Sequence, residues 1–228
     1  MCAAGVVRPA HGRDPVAENN DIRRRLRDDI LRGDYAPRQR LIEADLAKQY
    51  GASRFALRNA LIQLEAEGLV ELQPNRGARV REITVQEAIE ITEVRQSIEA
   101  LVAARAAERA TPEQIEILRG IGRDMRVAVE GNELMGYSDL NVTLHSMLRE
   151  IAQHGAAERM LSQLHGQMVR HQFRLFLVPG RPSTSLPEHL AIIDAVCAGD
   201  VEAARAAMAA HVGSVIETLQ QFARVDAR

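Results

Sequence analysis

The chain has 228 residues, of which 46% are hydrophobic, 26% are charged and only 3% are aromatic, and its formal net charge is −2. This length is enough for two modest globular domains, each with its own core. No apolar run approaches the roughly 20 residues that cross a bilayer, and the N-terminal segment lacks the long apolar core of a signal peptide. These observations argue against a membrane-spanning or secreted protein, and we expect a soluble, cytoplasmic one.

The composition predicts a mainly α-helical chain. Alanine, leucine, arginine and glutamate recur in amphipathic runs, tryptophan is absent, and only residues 70–81 have the character of β-strands. The two cysteines, Cys2 and Cys197, are far apart in sequence, and Cys2 lies in residues 1–17, which we expect to form a disordered tail. A structural disulfide is therefore not expected.

The charge is divided unevenly along the chain. Residues 1–81 contain 15 Lys and Arg against 11 Asp and Glu, a net charge of +4, whereas the remaining residues contain 14 against 20, a net charge of −6. Because phosphate groups attract basic surfaces, the N-terminal part is the one expected to meet nucleic acid.

A first helix is predicted over residues 18–32, where Ile22, Leu26 and Ile30 recur at helical spacing. The rest of its surface carries four arginines, Arg23, Arg24, Arg25 and Arg27. A charge run on a helix is more often a solvated face than a binding site, so on its own this run favours the structural interpretation. A second interpretation comes from the elements that follow: one or two of these arginines contact phosphates of DNA.

Residues 43–80 have the layout of a winged helix-turn-helix. Leu46 and Ala47 lie on the apolar stripe of a short helix, Gly51 permits a sharp turn, and Ser53 can cap the helix that follows. In this second helix the inward positions are Leu57, Ala60, Leu61 and Leu64. The opposite face carries Arg54, Phe55, Arg58 and Asn59. We expect that face to enter the major groove of DNA.

A β-hairpin is predicted after this helix. Residues 69–72 and 78–81 read as strands, and the sequence PNRG at residues 74–77 reads as the turn between them. Arg76 is either a solvated turn residue or the tip of a wing that contacts the DNA backbone or minor groove, and its position beside Gly77 favours the wing.

Residues 18–81 resemble the DNA-binding domain of GntR-type bacterial transcription regulators. The resemblance rests on residues 33–37 (GDYAP), 41–47 (LIEADLA), 51–54 (GASR) with Leu57 and Arg58, 67–70 (EGLV), and Arg76 with Gly77. It implies a homodimer on a short, roughly palindromic double-stranded DNA operator. In the family pattern Arg54 and Arg58 match positions that contact bases and phosphates, and Arg76 matches the wing.

The chain departs from that family pattern inside the recognition helix. Phe55, Ala56 and Leu57 stand where the family usually has threonine, proline and valine, and Asn59 stands where it has glutamate. Asn59 could read the major-groove edge of adenine and Phe55 could cover a thymine methyl group, or both could contact only sugar. The operator sequence therefore does not follow from the resemblance.

The second half is predicted to be an antiparallel all-helical bundle, residues 85–228, joined to the winged domain by a linker at residues 82–84. Capping signals at Thr84 and Thr111 begin the first two helices. Four more are predicted over residues 134–153, 156–177, 186–198 and 200–224. Residues 178–185 are expected to form the only long irregular connection.

Three histidines lie on the inward faces of different predicted helices: His145, His189 and His211. A single histidine on an apolar face is usually a packed core residue, but three on facing helices can converge on one metal ion. Asn141, one turn before His145, could add its amide oxygen. Spacing alone leaves the packed and the metal-binding interpretations open.

Residues 84–224 resemble the helical effector domain of the FadR-like branch of these regulators, in its six-helix, VanR-like form. The carrying residues are 93–95 (EVR), 98–100 (IEA), Asn141, His145, and the stretch from Glu188 to His211, in which 21 residues separate His189 from His211. The resemblance implies that Asn141 and the three histidines bind a divalent metal that helps to hold a small organic acid. Imidazole ligands favour zinc or nickel over magnesium.

Two further residues are candidates for binding this carboxylate effector. Arg95 would be costly to bury alone, so it either pairs with Glu99 or binds the carboxylate, and the resemblance favours the carboxylate. His171 shares an apolar stripe with Leu164 and Met168 and could line the same cavity.

The resulting hypothesis is a dimeric DNA-binding transcription regulator whose operator affinity depends on a metal-held acid. A metal-dependent hydrolase is the alternative from another class, but no nucleophile motif or phosphate-binding loop supports it. An architectural DNA-binding protein without an effector is a third possibility, and it requires the inward histidines to pack without a metal.

Overall fold

The computed structural model describes residues 15–73, 76–176 and 178–226, and it divides the chain into two compact units between Glu82 and Ile83. Most of the predicted N-terminal tail, with Cys2, lies outside the described residues, although the first helix already begins at Pro15. None of the described helices has an apolar stretch long enough to cross a bilayer.

The first unit contains three helices and a small sheet in the described residues. They are α1 (Pro15–Arg32), β1 (Arg40–Leu41), α2 (Glu43–Tyr50), α3 (Arg54–Ala66), β2 (Val70–Gln73) and β3 (Gly77–Val80). The sheet is antiparallel with the order β1, β3, β2. The sequence pattern did not predict β1, because two residues are too few to show the alternation that identifies a strand.

Apolar residues at helical spacing build the core of this unit. Leu26 of α1 packs with Leu57, Leu61 and Leu64 of α3, and all four side chains are fully buried. Ser53 caps α3, since its Oγ accepts a hydrogen bond of 3.1 Å from the backbone N–H of Ala56. The capped and packed α3 is thus held with its polar face outward.

Gly77 fixes the position of the wing. Its φ is +83°, and a Cβ built on it would collide with the carbonyl oxygen of Leu41 in β1. The hairpin turn is closed by the N–H of Arg76, which donates to the carbonyl of Gln73 at 3.0 Å. A glycine is therefore required where β3 passes close to β1.

The second unit consists of six helices in the described residues. They are α4 (Val85–Arg109), α5 (Pro112–Glu130), α6 (Leu134–Ala152), α7 (Gly155–Phe176), α8 (Arg181–Cys197) and α9 (Val201–Asp226). Thr111 and Gln114 form a complete capping box at α5, and Thr84 caps α4 by accepting from the backbone N–H of Glu87.

Small residues let α4 and α9 pack closely and antiparallel. Gln96 of α4 donates through Nε2 to the carbonyl of Ala209 at 2.7 Å, while Gly199, just before α9, lies beside the carbonyl of Ala107. Ala103 and Ala204, on the facing sides of these helices, are completely buried. Helices α6, α7 and α8 pack against α4, and α8 also packs against α9.

The expectation of a long irregular connection at residues 178–185 was wrong. Helix α8 already begins at Arg181, with Gly180 as its N-cap at φ +77°. Pro182 falls in the first turn, where a missing backbone N–H costs no intrahelical hydrogen bond. Pro182 therefore lies in a helix and not in a loop, and Arg181 and Ser185 gain fixed positions.

Candidate DNA-binding surface and metal-binding cavity

The polar face of α3 is exposed as the sequence predicted. Phe55 is 72% exposed, Arg54 and Arg58 are also exposed, and Asn59 is half-buried. An exposed aromatic ring beside two arginines is unusual for a helix face that has no partner. This surface combines donors for phosphates and base edges with an apolar group that can cover a methyl group.

A groove between α3 and the wing gathers four arginines: Arg40, Arg54, Arg58 and Arg76. Arg40 was missed by the sequence analysis because it lies in the two-residue strand β1. Its Nε donates to the carbonyl oxygen of Arg76 at 3.1 Å, so it ties the wing tip to the sheet. The groove thus carries four arginines from α3, β1 and the wing turn and, among its described residues, one acidic residue, Glu43 of α2.

Two of the arginines in α1 serve the fold. Arg23 and Arg27 reach Glu67 at the end of α3, with N–O distances of 2.6 and 3.2 Å. Arg24 pairs with Asp21 at the surface and is largely exposed. This arginine run therefore helps to join α1 to α3. Arg24 is the most exposed arginine of the run.

Three histidines from three helices converge in the second unit. His145 of α6, His189 of α8 and His211 of α9 each place one ring nitrogen within 4.8 Å of the others. The centroids of the His189 and His211 rings are 4.3 Å apart, and that of His145 lies 5.4 Å from His211. The structure thus brings together the three histidines that the spacing had singled out.

Each of these rings is held at Nδ1 by another side chain. Nδ1 of His145 lies 3.0 Å from Oε2 of Glu99, and Nδ1 of His211 lies 2.9 Å from Oε2 of Glu188. Because an ionised carboxylate only accepts, both Nδ1 atoms carry a proton, and in a neutral ring Nε2 then presents a lone pair. This is the arrangement in which a histidine binds a metal.

His189 is held at Nδ1 by a phenol in place of a carboxylate. Its Nδ1 lies 2.9 Å from the hydroxyl of Tyr137, which also contacts Oγ of Ser185 at 2.7 Å. A phenol hydroxyl can accept or donate, and Nε2 presents a lone pair when the ring donates from Nδ1 to Tyr137. This Nε2 is buried without a hydrogen-bond partner. A buried nitrogen left without a partner is costly in a dry core, so this atom fits a metal ligand.

The ionisation of the cluster agrees with this interpretation. Burial lowers the pKa of His189 well below its usual value, and burial also lowers that of His211 against the opposing effect of Glu188. Burial alone would raise the pKa of Glu99, but Arg95 and the hydrogen bond from His145 hold it well below its usual range. The neutral rings of His189 and His211, near the ionised carboxylate of Glu99, are ready for a divalent cation.

A cavity of about 270 Å³ opens onto the cluster. Asn141 and Arg95 line it, as expected, together with all three histidines. Arg95 also donates from Nε and Nη2 to Oε1 of Glu99, at 3.0 and 2.7 Å, so both of its expected roles are available to it. The volume is close to the lower end of ligand pockets, about 300 Å³, which suits a small metabolite.

The structure does not place His171 among the described residues that line the cavity. It is buried, and its Nε2 lies 2.8 Å from the carbonyl oxygen of Ile83. The histidine of α7 that does line the cavity is His165, six residues earlier. Six residues of helix are 600°, so the two side chains leave α7 in different directions.

Four other residues of the site were missed: Tyr137, His165, Arg181 and Glu188. Tyr137 could have been found, since it lies one turn before Asn141 on the stripe that leads to His145. Glu188 and Arg181 act through contacts with α9, which no local pattern shows. Burial lowers the pKa of His165 to about 4, with a further contribution from Arg95, so this ring is neutral.

Both units match known protein families. Residues 18–80 match the model for bacterial regulatory proteins of the gntR family, and residues 90–214 match the FCD domain. The chain is 30% identical over 204 residues to the HTH-type transcriptional repressor RspR of Escherichia coli (strain K12), covering 90% of each protein. It is 32% identical over 217 residues to the putative L-lactate dehydrogenase operon regulatory protein of the same strain, covering 82% of this chain and 80% of that protein.

Solved structures share the fold. E. coli McbR/YncC superposes with a TM-score of 0.69 at 22% identity, over 90% of this chain and 97% of that one. A putative GntR transcriptional regulator from Rhodococcus sp. RHA1 gives a TM-score of 0.66 at 21% identity, over 90% and 98%. At these identities the likeness concerns the fold alone.

Proposed function

Since the chain belongs to the GntR family of DNA-binding transcription regulators and carries an FCD domain, we propose that a small organic acid controls its affinity for an operator. The acid would bind beside a divalent metal in the helical unit. Zinc or nickel suits a site in which imidazole predominates. The observation that carries this proposal is the convergence of His145, His189 and His211, each held at Nδ1, on a cavity that Arg95 also lines.

In this proposal the three histidines, with the amide oxygen of Asn141, hold the metal. When bound, the metal supplies a Lewis acid that anchors one carboxylate of the ligand. Arg95 uses two donors on Glu99, and its guanidinium has further N–H groups that can donate to the acid. Glu99 therefore fixes both Arg95 and His145 for a single ligand.

The DNA-binding output lies in the first unit. Arg54, Phe55, Arg58 and Asn59 on α3 would enter the major groove, and Arg76 would contact the backbone or minor groove from the wing. Two copies of the chain, as a homodimer, would read the two halves of a roughly palindromic operator. The ligand acts by shifting the population between two states of the dimer that bind the operator with different affinity.

The two alternative functions have less support. The similar curated proteins named above are regulators by name, which does not favour a hydrolase. A purely architectural protein would require the histidines to pack without a ligand, but His189 then keeps a buried Nε2 with no partner.

A thermal-shift screen of small carboxylates, with and without zinc or nickel, tests the proposal. A ligand that binds only the folded state raises the midpoint of unfolding, and we expect the largest shift when acid and metal are present together. Operator affinity is then measured with and without the best acid. The proposal would be refuted if no combination of metal and acid changed the operator affinity. It would also be refuted if the His189→Ala and His211→Ala variants responded to metal and acid as the unsubstituted chain does.

A further inference from the structure

Asn141 makes the ligand set of the candidate metal site uncharged. The three histidines bind a metal as neutral imidazoles, and the amide of Asn141 adds no charge. An aspartate at this position would cancel one of the two positive charges of a divalent ion. With Asn141, both charges remain to be neutralised by the ligand or by the walls of the cavity.

The charged groups around the cavity balance one another. Arg95, Arg149 and Arg181 line it, and each has a glutamate partner. Arg95 bonds to Glu99 at 2.7 Å, Nε of Arg149 to Glu158 at 3.0 Å, and Nη2 of Arg181 lies 3.6 Å from Glu188. Among these described residues, no negative charge is left over for a cation.

In two of these pairs the glutamate also contacts a histidine of the cluster, and the histidine differs between the two pairs. Arg95 shares Glu99 with His145, and Arg181 shares Glu188 with His211. The two arginines therefore flank the histidine cluster through separate carboxylates. Both are largely buried, with 10% and 13% of their side chains exposed.

Arg181 has the surroundings of a second anion-binding group. Its Nη2 donates to Oγ of Ser214 at 3.0 Å and makes only a long contact with Glu188. The cavity wall beside it includes Ser185 and Tyr137, which supply hydroxyl groups. A carboxylate placed here would find a largely buried guanidinium, where charge-assisted bonds are strong, next to the hydroxyls of Tyr137 and Ser185, which already bond to each other.

We propose that the effector is a small dicarboxylic acid, with one carboxylate at the metal and Arg95 and the other at Arg181, and that Asn141 sets this preference. The inference rests on the proposed function, since it assumes an acid at the metal. The preference for a diacid follows from charge. A neutral cavity that gains a divalent ion needs two negative charges, because an uncompensated buried charge is costly, and a dicarboxylate supplies both.

Matched acids test this directly by titration calorimetry of the zinc-loaded full chain. Malonate, succinate and glutarate are compared with propionate, butyrate and valerate, which have the same number of carbon atoms and one carboxylate fewer. Free zinc is removed by dialysis, since diacids also bind it in solution. We expect the best diacid to bind at least tenfold more tightly than its matched monoacid.

Two substitutions in the cavity and one control complete the test. Arg181→Gln should weaken the diacid at least tenfold and leave the monoacid within about twofold. Asn141→Asp, which keeps the shape of the side chain, should narrow the preference for the diacid. Arg105→Gln removes a surface arginine paired with Glu108 and should change nothing. Zinc content is measured for every variant.

The outcomes separate this inference from the proposed function. Equal affinity for diacids and monoacids would overturn the inference and leave acid binding intact. A preference that survives both Arg181→Gln and Asn141→Asp would also overturn it. Failure of every acid to bind the zinc-loaded chain would remove the proposed function, and the inference with it. If Arg181→Gln loses its zinc, Asn141→Asp alone decides.

Discussion

The Nε2 of His171 lies 2.8 Å from the carbonyl oxygen of Ile83, the first residue of the helical unit. Since a carbonyl only accepts, His171 donates, and its buried Nδ1 has no partner. The same helix, α7, contributes His165 and Leu175 to the cavity. His171 therefore connects a cavity-lining helix to the chain segment that follows the winged unit.

This contact makes His171 a candidate for coupling acid binding to operator affinity, and not for binding the acid itself. We expect His171→Ala to reduce the effect of the acid on operator affinity, while acid affinity in the absence of DNA stays within about threefold. His171→Gln, whose Nε2 can replace the ring N–H, should retain most of the coupling. Operator affinity is measured by fluorescence anisotropy with and without the best acid from the thermal-shift screen. Full coupling in the alanine variant would exclude this role.

The hydroxyl of Tyr137 should matter for metal affinity. Tyr137→Phe keeps the ring in place but removes the oxygen that lies 2.9 Å from Nδ1 of His189. Loss of such an orienting partner typically lowers metal affinity by about 10- to 100-fold, and a competition titration with a zinc chelator measures it. Tyr35→Phe, which removes a hydroxyl in the winged unit, is the matched control. An unchanged affinity in Tyr137→Phe would show that His189 needs no orienting group.

Alanine substitutions at Gly77 and Gly33 measure how much stability depends on the close approach of β3 to β1 at the wing. Both have positive φ, +83° and +90°, but only at Gly77 does a new Cβ meet a backbone atom, the carbonyl oxygen of Leu41. Gly33→Ala should cost about 1 kcal/mol from the backbone conformation alone, and Gly77→Ala should cost about 1–3 kcal/mol more. Hydrogen exchange of the amides of β2 and β3 reports the difference. Equal losses of stability in the two variants would mean that β1 moves away from the new Cβ at little cost.

Local patterns predicted the parts of the fold that local physics controls. Leu57, Leu61 and Leu64 are buried because a capped helix has one apolar stripe, and this stripe is visible in the sequence. The inward histidines were found in the same way. The strand β1 was missed because it exists only through pairing with β3, at Leu41 and Ala78, which are far apart in sequence.

The remaining errors concern contacts between distant helices. The stripe of α7 places His171 inward correctly, but it does not say whether a buried side chain faces a cavity or the carbonyl of Ile83. Arg181 was assigned to a loop, so its approach to Glu188 and Ser214 could not be foreseen. Burial follows from periodicity, whereas the partner of a buried polar group depends on the assembled fold.

Reading of the operator should depend on Arg58, which is exposed on α3 and lines the groove beside the wing. If it contacts a base edge, Arg58→Ala should cost about 1–3 kcal/mol on the operator and much less on random DNA of the same length. Arg119→Ala, on an exposed turn of α5 and paired with Glu116, is the control for lost surface charge. Binding is measured at several salt concentrations, because the loss of a phosphate contact would lower the salt dependence on both DNAs equally. Equal losses on operator and random DNA would place Arg58 on the backbone and leave base reading to Arg54, Phe55 or Asn59.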